Sequence, residues 1–198
     1  MKTKEKIVMA VASLLLGLVF LVPIWTIDMD APQYPEGIGM EISINKIEGQ
    51  NKNDLQNING LNHYIGMKEI TPESIPELKI MPWIFAFLIV SGLGVAAWGN
   101  RTALLIWIIL FVLLAVAGLI DFYLWGYDYG HNLSDDAAIK VPGMTYQPPL
   151  IGTKQLLNIT ASSWPGPGFY ISVISMSLAS YAFWSSKPSS DQQNGEAS

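Results

Sequence analysis

The chain has only two imidazoles, His63 in GLNHYIGM and His131 in DYGHNL, and each has a methionine within reach in sequence, Met67 and Met144. If the segment around His63 is helical, His63 and Met67 share a face, because side chains four residues apart project from the same side. Imidazole and thioether without thiolate form a donor set that suits copper, and Cu(I) above all. Cysteine is absent, which excludes disulfides, zinc ribbons, thiolate metal sites and haem-attachment motifs. The same residues also have an ordinary reading, in which a loop histidine hydrogen-bonds at the surface and methionine fills gaps in apolar packing.

Carboxylates are the other candidates. Asp121 lies near the end of a long apolar stretch, with Asp28, Asp30, Asp128, Asp135 and Asp136 just outside such stretches. Ionisable groups at membrane depth are expensive and tend to be functional. Asp121, four residues before Trp125, is expected at the interface, where it could pair with Lys154 or stand behind a metal-bound histidine as an acceptor. No GxSxG elbow, HExxH, Walker loop or dinucleotide glycine loop is present, so the sequence points to a protein that is not an enzyme. Neither histidine falls inside an apolar stretch, which disfavours a haem or quinone site between helices.

The elements that must position these residues follow from composition. The chain has 198 residues, 51% of them hydrophobic and 14% charged, with a mean hydropathy of +0.33. The apolar residues gather in Ile7–Trp25, Met81–Trp98, Ala103–Trp125 and Gly168–Trp184. At about 1.5 Å per residue such stretches match a hydrocarbon core of about 30 Å. The expectation is an all-α membrane protein with four transmembrane helices and two outer loops forming a small mixed cap. Trp25, Trp83, Trp98, Trp125, Trp164, Tyr170 and Trp184 stand where aromatic belts form. Gly92 with Ala96, and Ser175 with Ala179, are spaced to let helices approach closely.

Lys2, Lys4, Lys6, Arg101 and Lys187 occupy short segments, so the positive-inside rule places both termini and the turn 99–102 in the cytoplasm. Residues 26–80 and 126–167 are then outside. The first apolar stretch reads as an uncleaved anchor, because no small-x-small site follows it. The polar tail 185–198 reads as disordered. A net charge of −5 makes nucleic acid an unexpected partner. Within the first outer segment, residues 40–47 suggest a short strand, residues 59–67 a helix capped by Asn57, and residues 72–76 an extended run. Within the second, residues 153–159 suggest a short helix. Both segments are apolar enough to fold against one another.

The strings DAPQYPEGIGMEISINKIEG, NDLQNINGLNHYIGMKEITPESIPELKIMPW and GHNLSDDAAIKVPGMTYQPPLIGTKQLLN resemble a family of small four-helix membrane proteins encoded alongside nitrous oxide reductase accessory genes. The resemblance implies a copper setting, since that reductase holds copper outside the cytoplasmic membrane and its accessory proteins carry copper there. On that basis copper is the expected cofactor, with His63, Met67, His131 and Met144 as ligands and Asp121 behind them. The implied function is a non-enzymatic accessory protein for copper handling or reductase assembly at the outer face of the bacterial inner membrane. Its expected partners are the lipid bilayer and other membrane or periplasmic assembly proteins. A metal-free subunit that scaffolds a partner complex is the alternative.

Overall fold

The computed structural model describes residues 1–141 and 143–186. Most of the tail expected to be disordered therefore lies outside the described residues.

Helices form the stem. Helix α1 (Thr3–Leu15) continues directly into a 3-10 segment, Leu16–Leu21. Helix α3 (Glu77–Trp98) and helix α4 (Arg101–His131) are 22 and 31 residues long, and helix α5 (Pro167–Ser185) closes the described chain. Their junction at Gly99–Asn100 has a local cause. Gly99 takes the left-handed conformation that ends α3, which glycine adopts without a Cβ penalty. Asn100 then accepts hydrogen bonds from the backbone N–H of Thr102 at 2.8 Å and Ala103 at 3.1 Å, capping α4.

Helix α1 packs against α3 and α5, and α4 packs against the same two. Met9, Leu16, Leu88, Leu104, Trp107 and Phe111 form the core of this bundle. Small residues set the close contacts: Gly92 lies against Ser13 and Met9 of α1, and buried Ser175 donates to the Ala12 carbonyl at 2.7 Å. Ala96 and Ala179 are also buried.

The all-α, four-span expectation is overturned. The described residues contain five helices and a five-stranded antiparallel sheet, and two helices, α3 and α4, are long and apolar enough to cross a membrane. The first apolar stretch is α-helical only to Leu15, passes through the 3-10 segment and becomes a β-strand at Trp25. In α5 the residues Ser172, Ser175, Ser177, Ser180, Tyr170 and Tyr181 dilute the apolar character that α3 and α4 sustain.

The sheet draws on both segments outside the stem. Strands β1 (Trp25–Ala31), β2 (Tyr34–Ile42), β3 (Ile47–Gly49), β4 (Gly152–Leu156) and β5 (Ile159–Pro165) lie in the order β3-β2-β1-β5-β4. Strand β1 is central, with Trp25 opposite Ile42 on one side and Pro165 on the other. Its sequence alternates Trp25, Ile27, Met29 and Ala31 with Thr26, Asp28 and Asp30, the period of a half-buried strand. The expected helix at 153–159 is instead the β4–β5 hairpin. Its tight turn carries Leu157 at φ 58, a conformation that such hairpins demand and that usually signals itself by glycine or asparagine. The expected strand at 40–47 is split between β2 and β3, and the expected extended run at 72–76 contains the 3-10 turn Pro72–Ser74.

Candidate functional site: an apolar chamber in the cap

Helix α2 (Asp54–Ile65) lies over one face of the sheet. It begins five residues earlier than the sequence suggested, and a buried carboxylate explains the start. Asp54 is 5% exposed and one of its oxygens accepts from the N–H of Gly39 at 3.1 Å, the N–H of Asn51 at 3.0 Å and the side-chain amide of Asn51 at 3.0 Å. The helix is thereby tied to β2, and its apolar residues are laid on the sheet. At the other end Gly66 adopts φ +80 and reverses the chain. Asn59 then clamps the returning segment, donating to the Ile70 carbonyl at 3.0 Å and accepting from the Ile70 N–H at 2.8 Å.

Between sheet and helix lies a cavity of about 70 Å³. Its floor is Ile27 and Met29 of β1, Met40 of β2 and Ala161 of β5. The register accounts for this grouping, since Met40 is opposite Ile27 and Ala161 is opposite Met29. The roof is Ile58, Leu61 and Met67. Trp125 and Tyr129, on the last turns of α4, and Tyr146 close one end.

Tyr146 is brought there by a tight contact between a loop and α4. Its N–H donates to the Gly130 carbonyl at 3.0 Å, and any Cβ at Gly130 would collide with the Gln147 backbone. Tyr129 is fixed by donating to the Glu69 carbonyl at 3.1 Å, and its ring lies 4.5 Å from that of Trp125. Two residues of this wall carry an unsatisfied polar atom. Trp125 Nε1 and Tyr146 Oη are buried and have no hydrogen-bond partner among the described residues. By contrast Trp25, also buried, donates its indole N–H to Ser163 Oγ at 2.7 Å. Buried donors are nearly always paired, so these two are exceptions.

The structure separates the histidines from the methionine expected beside them. His63 is on the exposed face of α2, near Tyr64, whereas Met67 lines the chamber. The helix ends at Ile65 and the left-handed Gly66 redirects the chain, so the four-residue spacing no longer implies a shared face. His131 is the last residue of α4, stacked on Tyr127 at 3.8 Å between ring centroids, with Nδ1 2.9 Å from the Tyr127 carbonyl. Met144 is half-buried in the loop after α4. Asp121 is on an exposed face of α4, and Lys154 donates to the Gln147 carbonyl at 3.1 Å rather than to Asp121. Among the described residues no three of the His, Asp and Glu side chains converge as a metal site would require.

Met67 instead shares the chamber with Met29 and Met40, which sequence reasoning passed over. The signal was the two-residue alternation of β1, obscured because Trp25 also fits an interfacial belt. The architecture is thus a helical stem under a mixed cap whose sheet and α2 flank a small apolar chamber. No family model matches the chain, and no curated protein matches it.

Proposed function

We propose that the protein is a non-enzymatic accessory protein of the cytoplasmic membrane, whose cap, on the outer side, binds a small apolar guest. The chamber beneath α2 is the observation that carries this reading. Orientation rests on charge: Lys2, Lys4, Lys6 and Arg101 gather at the stem end remote from the sheet, where the N-terminal ammonium donates to the Gly99 carbonyl at 2.9 Å. Short cationic segments are retained in the cytoplasm. Native mass spectrometry of protein released from membranes tests the guest. A low-mass adduct is expected on the wild type and lost from Leu61→Trp, which fills the chamber. Identical adducts on both proteins would remove the reading.

A second reading keeps copper, in the nitrous oxide reductase setting that the resemblance implies. Its support is the convergence of Met29, Met40 and Met67 on one cavity, because thioethers are soft ligands for Cu(I). Competition against a Cu(I) chelator separates the cases. Loss of binding in Met67→Leu assigns copper to the chamber, and loss in the His63→Ala, His131→Ala double variant assigns it to the histidines. A wild-type protein that fails to compete carries no such site.

A further inference from the structure

We propose that the chamber is filled from the membrane side, through a cleft between α4 and the loop residues 147–150, with the Trp125 indole as its gate. The proposal rests on the apolar-guest reading and adds the guest's route.

The route is drawn by two cavities that share a wall. Beside the chamber lies a narrower space of about 10 Å³, bounded by Phe122, Tyr123 and Gly126 of α4 and by residues 147–150. Trp125 and Pro148 line both spaces, so these two side chains stand between them. Gly126 marks the cleft as a gap in the packing, because it is buried and yet a Cβ placed on it meets nothing within 4 Å. A space of about 10 Å³ is the room of a single water. A larger guest passes only when a wall moves.

The two sides of the cleft differ in how firmly they are held. The loop is fixed at both ends, by the Tyr146 N–H donating to the Gly130 carbonyl at 3.0 Å and by Ser163 Oγ donating to the Leu150 carbonyl at 3.0 Å. Between them Lys154 donates to the Gln147 carbonyl at 3.1 Å, and the rings of Pro148 and Pro149 restrict the backbone further. Trp125 has no such tie. Its indole lies 6.0 Å from the Phe122 ring and 4.5 Å from the Tyr129 ring between centroids, and its N–H has no partner among the described residues. The buried Trp25 is anchored instead, through its N–H to Ser163. Turning the Trp125 ring therefore gives up packing contacts and breaks no hydrogen bond.

Position sets the side of entry. Helix α4 is long and apolar enough to cross a membrane, and a hydrocarbon core of about 30 Å takes up about 20 residues counted from Arg101 at about 1.5 Å each. Phe122 and Tyr123 follow directly, and Tyr123 is 47% exposed, which puts the mouth of the cleft in the headgroup layer. Apolar molecules leave water for the bilayer, so a mouth at that depth meets them where they are concentrated.

The chain has no cysteine, so a thiol placed in the chamber reports access to it. Met40 is 3% exposed and lines the chamber floor. In Met40→Cys the reagent methyl methanethiosulfonate forms a methyl disulfide with as many side-chain heavy atoms as the methionine it replaces. Its rate is read by intact mass on the full chain in phosphatidylcholine vesicles. Adding Gly126→Leu fills the cleft and should slow labelling roughly tenfold, since an overpacked passage raises the barrier each molecule crosses. Gly60→Leu, on the exposed face of α2 where a Cβ also meets nothing within 4 Å, should leave the rate unchanged. Trp125→Ala should raise it several-fold, with the unfolding midpoint measured for every variant. Equal rates with Gly126→Leu and Gly60→Leu, or rates that follow the unfolding midpoint instead of the cleft, would overturn the route. An unchanged rate in Trp125→Ala would overturn the gate. The assay brings its own probe, so its failure is distinct from the identical adducts that would remove the apolar-guest reading.

Discussion

Asp54 is the single side chain on which the cap most depends. One of its carboxylate oxygens is shared by three donors, two of them backbone, and it joins β2 to the start of α2. Removing it leaves buried donors without acceptors, which is costlier than never having made the bonds. Asp54→Ala should therefore lower stability by about 2 to 3 kcal/mol, read from chemical unfolding of the detergent-solubilised protein, with Asp54→Asn between it and the wild type. The ion pair of Lys68 and Asp128 makes the opposite case. Its separation is 2.6 Å, yet its side chains are 54% and 42% exposed, and such pairs gain little against water and lost side-chain entropy. Lys68→Ala should leave the unfolding midpoint unresolved from the wild type.

At the scale of elements, contact between helices and loops is decided where a Cβ is missing. A side chain at Gly92 would drive into Ser13 of α1, whereas a Cβ at Gly94, two residues along the same helix, meets nothing within 4 Å. Gly92→Leu should thus separate α1 from α3 and lower the thermal midpoint by several degrees, and Gly94→Leu should not. The same comparison applies at the end of α4. Gly130→Ala must push the Gln147 backbone away and carry Tyr146 out of the chamber wall, while Gly126→Ala has open space around its Cβ. Guest binding, read as the low-mass adduct in native mass spectrometry, should fall in Gly130→Ala and persist in Gly126→Ala. Equal loss in both would detach Tyr146 from the site.

For the whole molecule, the sheet is the organising constraint. Because β1 is hydrogen-bonded to β2 on one side and to β5 on the other, the segments before α3 and after α4 must lie at the same end of the stem and on one side of any membrane the stem crosses. The chain has no cysteine, so a single introduced thiol reports its own location. Lys46→Cys in the first segment and Lys154→Cys in the second should react alike with a membrane-impermeant maleimide added from outside intact cells, and Thr3→Cys should react only after permeabilisation. Opposite labelling of Lys46→Cys and Lys154→Cys would be incompatible with a shared sheet, and labelling of Thr3→Cys in intact cells would overturn the proposed orientation.

The sequence by itself determined α3 and α4, because their apolar runs are long and the Gly99–Asn100 junction carries its own stop and start signals. It also determined the absence of thiolate chemistry and showed the small-residue positions Gly92, Ala96, Ser175 and Ala179, all of them buried. Only the tertiary structure decided the rest. Trp25 through Ala31 is short, alternates weakly and follows an apolar helix without a break, and its partner strand begins far along the chain, with Trp25 bonded to Ser163 across 138 positions. Local periodicity carries no record of such pairing, and in the β4–β5 turn the left-handed position is held by Leu157, with Asn158 following it, so the residue that adopts φ 58 does not announce the turn. The chamber was hidden for the same reason. Met29, Met40 and Met67 become neighbours only through strand register and the reversal at Gly66, which no local pattern records.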